Sequence, residues 1–211
     1  MKESKVLQII TSNIMEGAGF KSLFEQKKPE YKILLHLISK TSLLQNSLYD
    51  EIKTSFQEKN IIIIDTDSFE NDYIFDFLTD LTERGAKCII YSKLSTAGLI
   101  IKARELLISG YVSKSSSLDC LLNCLDVVEL GGIYYDSCFS DLIKQILIFE
   151  KELSLTEKRI FYEVLLFSNR TIKDLADILN ISKHTVEVHL SNLYKKANVN
   201  SYNELISRFS L

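Results

Sequence analysis

The chain has 211 residues, 46% hydrophobic and 25% charged, with a formal net charge of −3. That length suits two domains better than one, and the apolar content supports packed cores rather than disorder. No apolar run approaches the ~18 residues of a membrane span, and the start MKESKVLQIITSNI lacks a signal-peptide pattern, so a cytoplasmic protein with no membrane partner is expected.

The charge is uneven along the chain. Ahead of Phe149 there are 16 Lys and Arg against 20 Asp and Glu; from Phe149 onward there are 9 against 8. The C-terminal part is thus slightly basic, which leans towards nucleic acid without establishing it. Cys88, Cys120, Cys124 and Cys138 form no CxxC pair and read as reduced thiols packed as small hydrophobes.

In chain order, Val6–Ile10 reads as a strand, Ile14–Lys27 as a helix, Tyr31–Ile38 as a strand and Ser42–Lys59 as a helix. Ile61–Ile64, four β-branched residues in a row, predicts a strand buried on both faces. Helix Asp72–Arg84, strand Lys87–Tyr91, helix Ala97–Ile108, short strand Gly110–Val112 and helix Leu118–Leu130 follow, the last ended by Gly131-Gly132. This alternation predicts a flavodoxin-like α/β domain with a five-stranded parallel sheet over 1–132. Residues 133–152 read as a linker with a helix of its own, Phe139–Phe149. Residues 153–211 read as an all-α helix-turn-helix domain.

In such sheets, chemistry lies beyond the carboxyl ends of the strands. The residues there are Thr11, Ser12 and Asn13 after the first strand and Asp65, with Thr66-Asp67-Ser68, after the third. Ser92 follows the fourth and Lys114 the fifth. An Asp at such a point also caps turns. Together, however, Asp65, Ser92 and Lys114, with Tyr111 in Gly-Tyr-Val-Ser-Lys, resemble the receiver domain of two-component response regulators. The resemblance implies that Asp65 is the phosphoacceptor position and Tyr111 the aromatic switch position. It also implies two acidic metal ligands after the first strand, where this chain has Ser12 and Asn13 instead. These offer oxygens without charge, and Mg²⁺ is usually held by one or two carboxylates. Efficient Mg²⁺-dependent phosphorylation is therefore expected to be lost or severely reduced, and no cofactor is assigned. Asp67 is read as too far along its turn to contribute.

At the C-terminal end, Ser154-Leu-Thr-Glu157 is a capping box, and Asn169 follows the helix it opens. Thr171-x-x-Asp174 caps a second helix, Asn180-Ile181 forms a tight turn and Ser182 caps a third helix, Lys183–Ala197. On that helix Val186, Leu190, Leu193 and Ala197 form an inward stripe. His184, Glu187, Val188 and Ser191 lie opposite, as base-reading residues of a recognition helix would. Lys183, Lys195 and Lys196 are placed to pair with phosphates, and Thr185 and Asn192 complete the candidate DNA-binding set.

Ile181-Ser-x-x-Thr-Val-Glu-x-His189 and Asn192-Leu-Tyr-Lys-Lys-Ala-Asn-Val199 resemble the LuxR/NarL type of helix-turn-helix. The plan of an atypical receiver ahead of it is loosely similar to regulators of the CsgD type. The resemblance implies double-stranded DNA as partner and a homodimer formed through the last helix, with Leu205, Ile206 and Phe209 either at that interface or closing the domain's own core. It implies a histidine kinase or another regulatory protein as controller. Three readings stand: a DNA-binding regulator with a degenerate receiver, a conventional response regulator switched at Asp65, and a protein that sequesters a partner. No Gly-rich phosphate loop, metal-ligand cluster or nucleophile–base pair is readable, so no enzyme, catalytic residue or metal site is assigned.

Overall fold

A computed structural model describes residues 5–38, 52, 60–69, 71–93 and 97–209. The helix expected over Ser42–Lys59 lies outside the described residues, apart from Ile52. The chain divides into two compact units, Met1–Lys93 with Leu106–Asp136, and Leu94–Glu105 with Ser137–Leu211.

The first unit is built on a parallel sheet of order β2-β1-β3-β4-β5-β6. Its strands are β1 (Lys5–Thr11), β2 (Tyr31–Leu37), β3 (Ile61–Asp65), β4 (Lys87–Ser92), β5 (Gly110–Ser113) and β6 (Tyr134–Tyr135). The sheet therefore has six strands rather than the five expected. The sixth pairs only Tyr134 and Tyr135 with Gly110 and Tyr111, too short a run for a periodic signal. Among the described residues the helices of this unit include α1 (Ile14–Lys27), α2 (Asn71–Glu83) and, after the helix assigned below to the second unit, α4 (Leu118–Glu129).

The isoleucines of β3 are at most 2% exposed. Ile61 and Ile63 pack in one cluster with Phe20 and Phe24 of α1 and with Leu121, Leu125 and Val128 of α4. Ile62 and Ile64 point to the opposite face, because strand side chains alternate, and are buried there too. Burial of each such side chain is worth about 1.5–3 kcal/mol, so β3 anchors the sheet and fixes where its last residue, Asp65, stands.

The second unit contains α3 (Ala97–Glu105), α5 (Ser137–Glu150), α6 (Leu155–Leu166), α7 (Ile172–Leu179), α8 (Lys183–Ala197) and α9 (Tyr202–Arg208). Phe149, Phe161 and Phe209 meet with ring centroids 5.0–5.1 Å apart, so α5, α6 and the end of α9 share one aromatic core. The expected linker helix is thus part of this unit's core.

Helix α3 was expected within the α/β domain, yet it packs on α6 and α5. Its sequence explains why it seeks more than one partner. Ala97, Leu99, Ile100, Ile101 and Ala103 are all buried, so it is apolar around its circumference. Gly98 permits the closest approach: a Cβ there would lie 2.3 Å from the Leu165 carbonyl oxygen and 2.7 Å from the Leu166 Cα. Those are backbone atoms and cannot rotate away. Gly98→Ala is expected to destabilise the second unit by about 1–3 kcal/mol in denaturant unfolding. Unchanged stability would show that α3 does not pack this tightly.

Candidate functional site

The first candidate site lies at the carboxyl end of the sheet. Register sets it: Ile10 pairs with Ile64, so Thr11 and Asp65 come level at the ends of β1 and β3. Asp65 is 4% exposed and both its carboxylate oxygens are engaged. Oδ2 accepts from Thr11 Oγ1 and Ser68 Oγ, each at 2.7 Å. Oδ1 accepts from the Asp67 backbone N–H at 3.1 Å and lies 2.7 Å from Lys114 Nζ. A 3-10 turn over Thr66–Ser68 makes this possible by folding Asp67 N–H and Ser68 Oγ back onto the carboxylate.

Lys114 does not serve Asp65 alone. Its Nζ lies 3.0 Å from Glu16 Oε2 and 3.3 Å from Asp67 Oδ2, and stands over the Tyr91 ring at 5.3 Å. Burial by itself would push this amine down. The hydrogen bonds and charges of Asp65 and Glu16 outweigh that and hold it above its ordinary value, so it is an ammonium at neutral pH. Asp67 is also gripped from β4, accepting from Ser92 Oγ at 2.9 Å and from the Lys93 N–H at 2.8 Å.

The expected set is thus partly assembled and partly replaced. Asp65, Ser92 and Lys114 come together. Ser12 reaches Asp65 only through Ser68, to which its N–H and Oγ bond at 2.7 and 2.8 Å. Asn13 instead caps α1, accepting from the Glu16 N–H at 3.2 Å. Tyr111 is fully buried, which raises its hydroxyl well above the ordinary value. Thr11 and Ser68, placed at the strand ends without a role, bond to Asp65. Asp67, expected to lie too far along its turn, reaches Lys114 and Ser92 because the 3-10 turn folds it back. Glu16 was missed as a pocket residue. Glu16 was findable, since the first turn of the helix after β1 returns to the strand end.

The second candidate site is the outer face of α8. Helix α6 opens with the Ser154–Glu157 capping box and α7 with a reciprocal Thr171–Asp174 pair; Ser182 caps α8, accepting from the Thr185 N–H. Asn180 (φ 53°) and Asn198 (φ 52°) take the left-handed conformations that end α7 and α8. Asn169 does not share that geometry, because α6 ends with the Phe167 N–H bonded to Glu163 O.

Val186, Leu190, Leu193 and Ala197 of α8 are buried. Lys183, His184, Glu187, Val188, Ser191 and Lys195 are exposed, and Thr185 and Asn192 are half-buried. His184 Nδ1 lies 3.8 Å from Glu187 Oε2. Lys196 is exposed too, but its ammonium is tied to the unit's own acceptors, 2.7 Å from Glu157 Oε2 and 2.8 Å from the Glu152 carbonyl. In α9, Leu205 and Phe209 are buried in the unit's own core, and Ile206 is half-buried.

Residues 151–209 match the family of bacterial regulatory proteins, luxR family. The chain is 33% identical over 106 residues to the uncharacterized response regulatory protein YgeK of Escherichia coli (strain K12), spanning 50% of this chain and 72% of that one. It is 30% identical over 103 residues to the transcriptional regulatory protein MctR of Rhizobium johnstonii, spanning 49% and 48%. Its fold is similar to RcsB from Salmonella enterica serovar Typhimurium, solved bound to promoter P1flhDC in the presence of phosphomimetic BeF3−, with a TM-score of 0.65 at 16% identity over 98% of each chain.

An α/β unit with a receiver-type strand-end pocket and a capped helix-turn-helix define the class of a response regulator. The chain belongs to the response regulatory proteins, and its residues 151–209 are of the luxR family of bacterial regulatory proteins. Among the described residues no helix is long and apolar enough to cross a membrane.

Proposed function

We propose that this chain is a cytoplasmic, sequence-specific transcription regulator that binds double-stranded DNA as a homodimer. Along the sequence its receiver-like part runs over 1–132 and its helix-turn-helix over 153–211, with α3 and the helix of the 133–152 segment packed into the second unit. The observation that carries this reading is α8: its inner stripe is sealed in the core while His184, Glu187, Val188 and Ser191 stand outward on a fixed helix. Such a face suits base edges in the major groove, with Lys183 and Lys195 meeting phosphates. Related folds solved on promoter DNA support it.

The test is duplex binding by the full chain across a salt series. Lys183→Ala and Lys195→Ala are each expected to weaken binding on all sequences and to reduce the salt slope by about 1. Glu187→Ala is expected to change sequence preference instead. A wild-type chain that binds no duplex more tightly than random DNA, under conditions where it is folded, would overturn the reading and favour partner sequestration.

Control of this regulator, in the same reading, does not run through conventional Mg²⁺-dependent phosphorylation. Phosphoryl transfer to Asp65 needs a carboxylate oxygen free to attack, and both oxygens already accept two contacts each. The second reading, a conventional switch at Asp65 driven by a histidine kinase, is favoured by the convergence of Asp65, Ser92 and Lys114. Acetyl phosphate with Mg²⁺ separates the two: the intact mass is expected to remain unchanged, and a phosphoryl adduct on Asp65 would establish the conventional switch.

A further inference from the structure

The receiver resemblance implies a divalent cation gathered by acidic residues at the strand ends. Such a hard cation needs several oxygen donors with uncommitted lone pairs, arranged around one point. The residues here do not fit that need. Thr11 and Ser12 stand at the end of β1 and bring no charge. The Asp65 oxygens are committed to Thr11, Ser68, the Asp67 N–H and Lys114. Asp67 is tied to Ser92 and the Lys93 N–H. Among the described residues, no group of His, Cys, Asp and Glu side chains is arranged to hold a metal.

What does stand between these carboxylates is an ammonium. Lys114 Nζ lies 2.7 Å from Asp65, 3.0 Å from Glu16 and 3.3 Å from Asp67, on a side chain 16% exposed. Two of those partners, Glu16 and Asp67, lie outside the set the resemblance supplied. They come from the first turn of α1 and from the 3-10 turn after β3; with Asp65 at the end of β3 itself, three separate elements converge on one positive charge. A second cation brought there would meet a fixed like charge at short range, in a site where solvent screens little.

We infer that Lys114 is the resident cation of this pocket, binding the Asp65, Asp67 and Glu16 carboxylates together in place of a divalent metal. The inference rests on reading the receiver-like part as one not worked by Mg²⁺-dependent phosphorylation, and it supplies the reason: the chain carries its own counter-ion. It also fixes what the pocket becomes without that counter-ion. Removing the ammonium frees the positions it holds on Asp65 Oδ1, Glu16 Oε2 and Asp67 Oδ2 and leaves three carboxylates without a counter-ion, which would then recruit a cation from solution. The oxygens are spaced for an ammonium and not set in an octahedron. Ca²⁺, which tolerates irregular shells with bonds of about 2.3–2.6 Å, should therefore be preferred over Mg²⁺.

The experiment uses the full chain as wild type, Lys114→Met and Lys114→Arg. Each is followed by thermal unfolding and titration calorimetry with CaCl2 or MgCl2 against KCl of equal ionic strength. The wild type and Lys114→Arg are expected to show no saturable divalent binding and no shift in Tm. Lys114→Met is expected to gain Ca²⁺ binding and a rise in Tm of about 3 °C or more at a saturating level.

Saturable Ca²⁺ or Mg²⁺ binding by the wild type that Asp65→Asn abolishes would overturn the inference. So would a folded Lys114→Met that stays indifferent to both ions. If Lys114→Met does not fold in KCl, recovery in CaCl2 supports the inference, and Lys114→Gln repeats the titration. If neither variant folds, the wild-type titration decides. The two readings fail separately. A wild type labelled by acetyl phosphate sinks the phosphorylation-independent reading. An unlabelled wild type with an indifferent Lys114→Met sinks only the resident-cation inference.

Discussion

Asp65→Ala is expected to cost the first unit about 3–5 kcal/mol, the usual effect of removing one partner from a buried ion pair. The carboxylate is the acceptor for the Thr11 and Ser68 hydroxyls, the Asp67 N–H and the Lys114 ammonium. With alanine there, two hydroxyls and an N–H lose their acceptor inside a site that water enters poorly, while Lys114 keeps only Glu16 and Asp67. Asp65→Asn should fall between, at about 1–3 kcal/mol, because the amide keeps one acceptor oxygen but turns an NH2 group towards donors. Urea unfolding gives the size of the loss. Hydrogen exchange at the β1 and β3 amides places it in the first unit rather than the second. If Asp65 served only to receive a phosphoryl group, the alanine variant would match the wild type in stability. That result would remove the structural role assigned to Asp65.

The legible parts of this molecule were those whose signal is local. The Ile61–Ile64 run, the Gly131-Gly132 stop and the three serine or threonine caps each announce an element within a few residues, and each element forms. Strand β6 was silent because two residues carry no period. The pocket was half legible. Asp65, Ser92 and Lys114 follow apolar runs directly and could be read from position. Thr11 instead of Asn13 depends on the register between β1 and β3, which brings Thr11 level with Asp65, while Asn13 has already left the strand to cap α1. Asp67 and Ser68 depend on the tightness of a 3-10 turn, which spacing alone does not give. The placement of α3 depends on which neighbour accepts Gly98, a question of backbone proximity that leaves no periodic trace.

Lys195 and Lys196 look alike in sequence and are expected to behave oppositely. Lys195 is exposed on the outer face of α8, so its loss should lower DNA affinity and leave stability unchanged. Lys196 reaches back 39 residues to Glu157, whose side chain is 5% exposed, and joins the end of α8 to the start of α6. Breaking that link with Glu157→Ala should cost about 2–4 kcal/mol, since it also removes the capping-box carboxylate that accepts from the Ser154 N–H at 2.7 Å. Lys196→Met should likewise destabilise the unit, while the salt slope of DNA binding by the folded chain stays as in the wild type. Acid provides an independent check. Burial alone would push the Glu157 carboxyl up, but the Lys196 hydrogen bond, those of Ser154 and the Lys196 charge outweigh it and hold it below its ordinary value. A carboxyl depressed in the folded state contributes fully above its unfolded pKa, and the contribution fades as pH falls through the folded one. Stability of the wild type should therefore decline on acidification below about pH 4–5, and Glu157→Gln should flatten that decline. Asp174, lowered by its bonds to Thr171, would leave a residual slope. If Lys196→Met instead reduces the salt slope and spares stability, Lys196 belongs with the phosphate contacts after all.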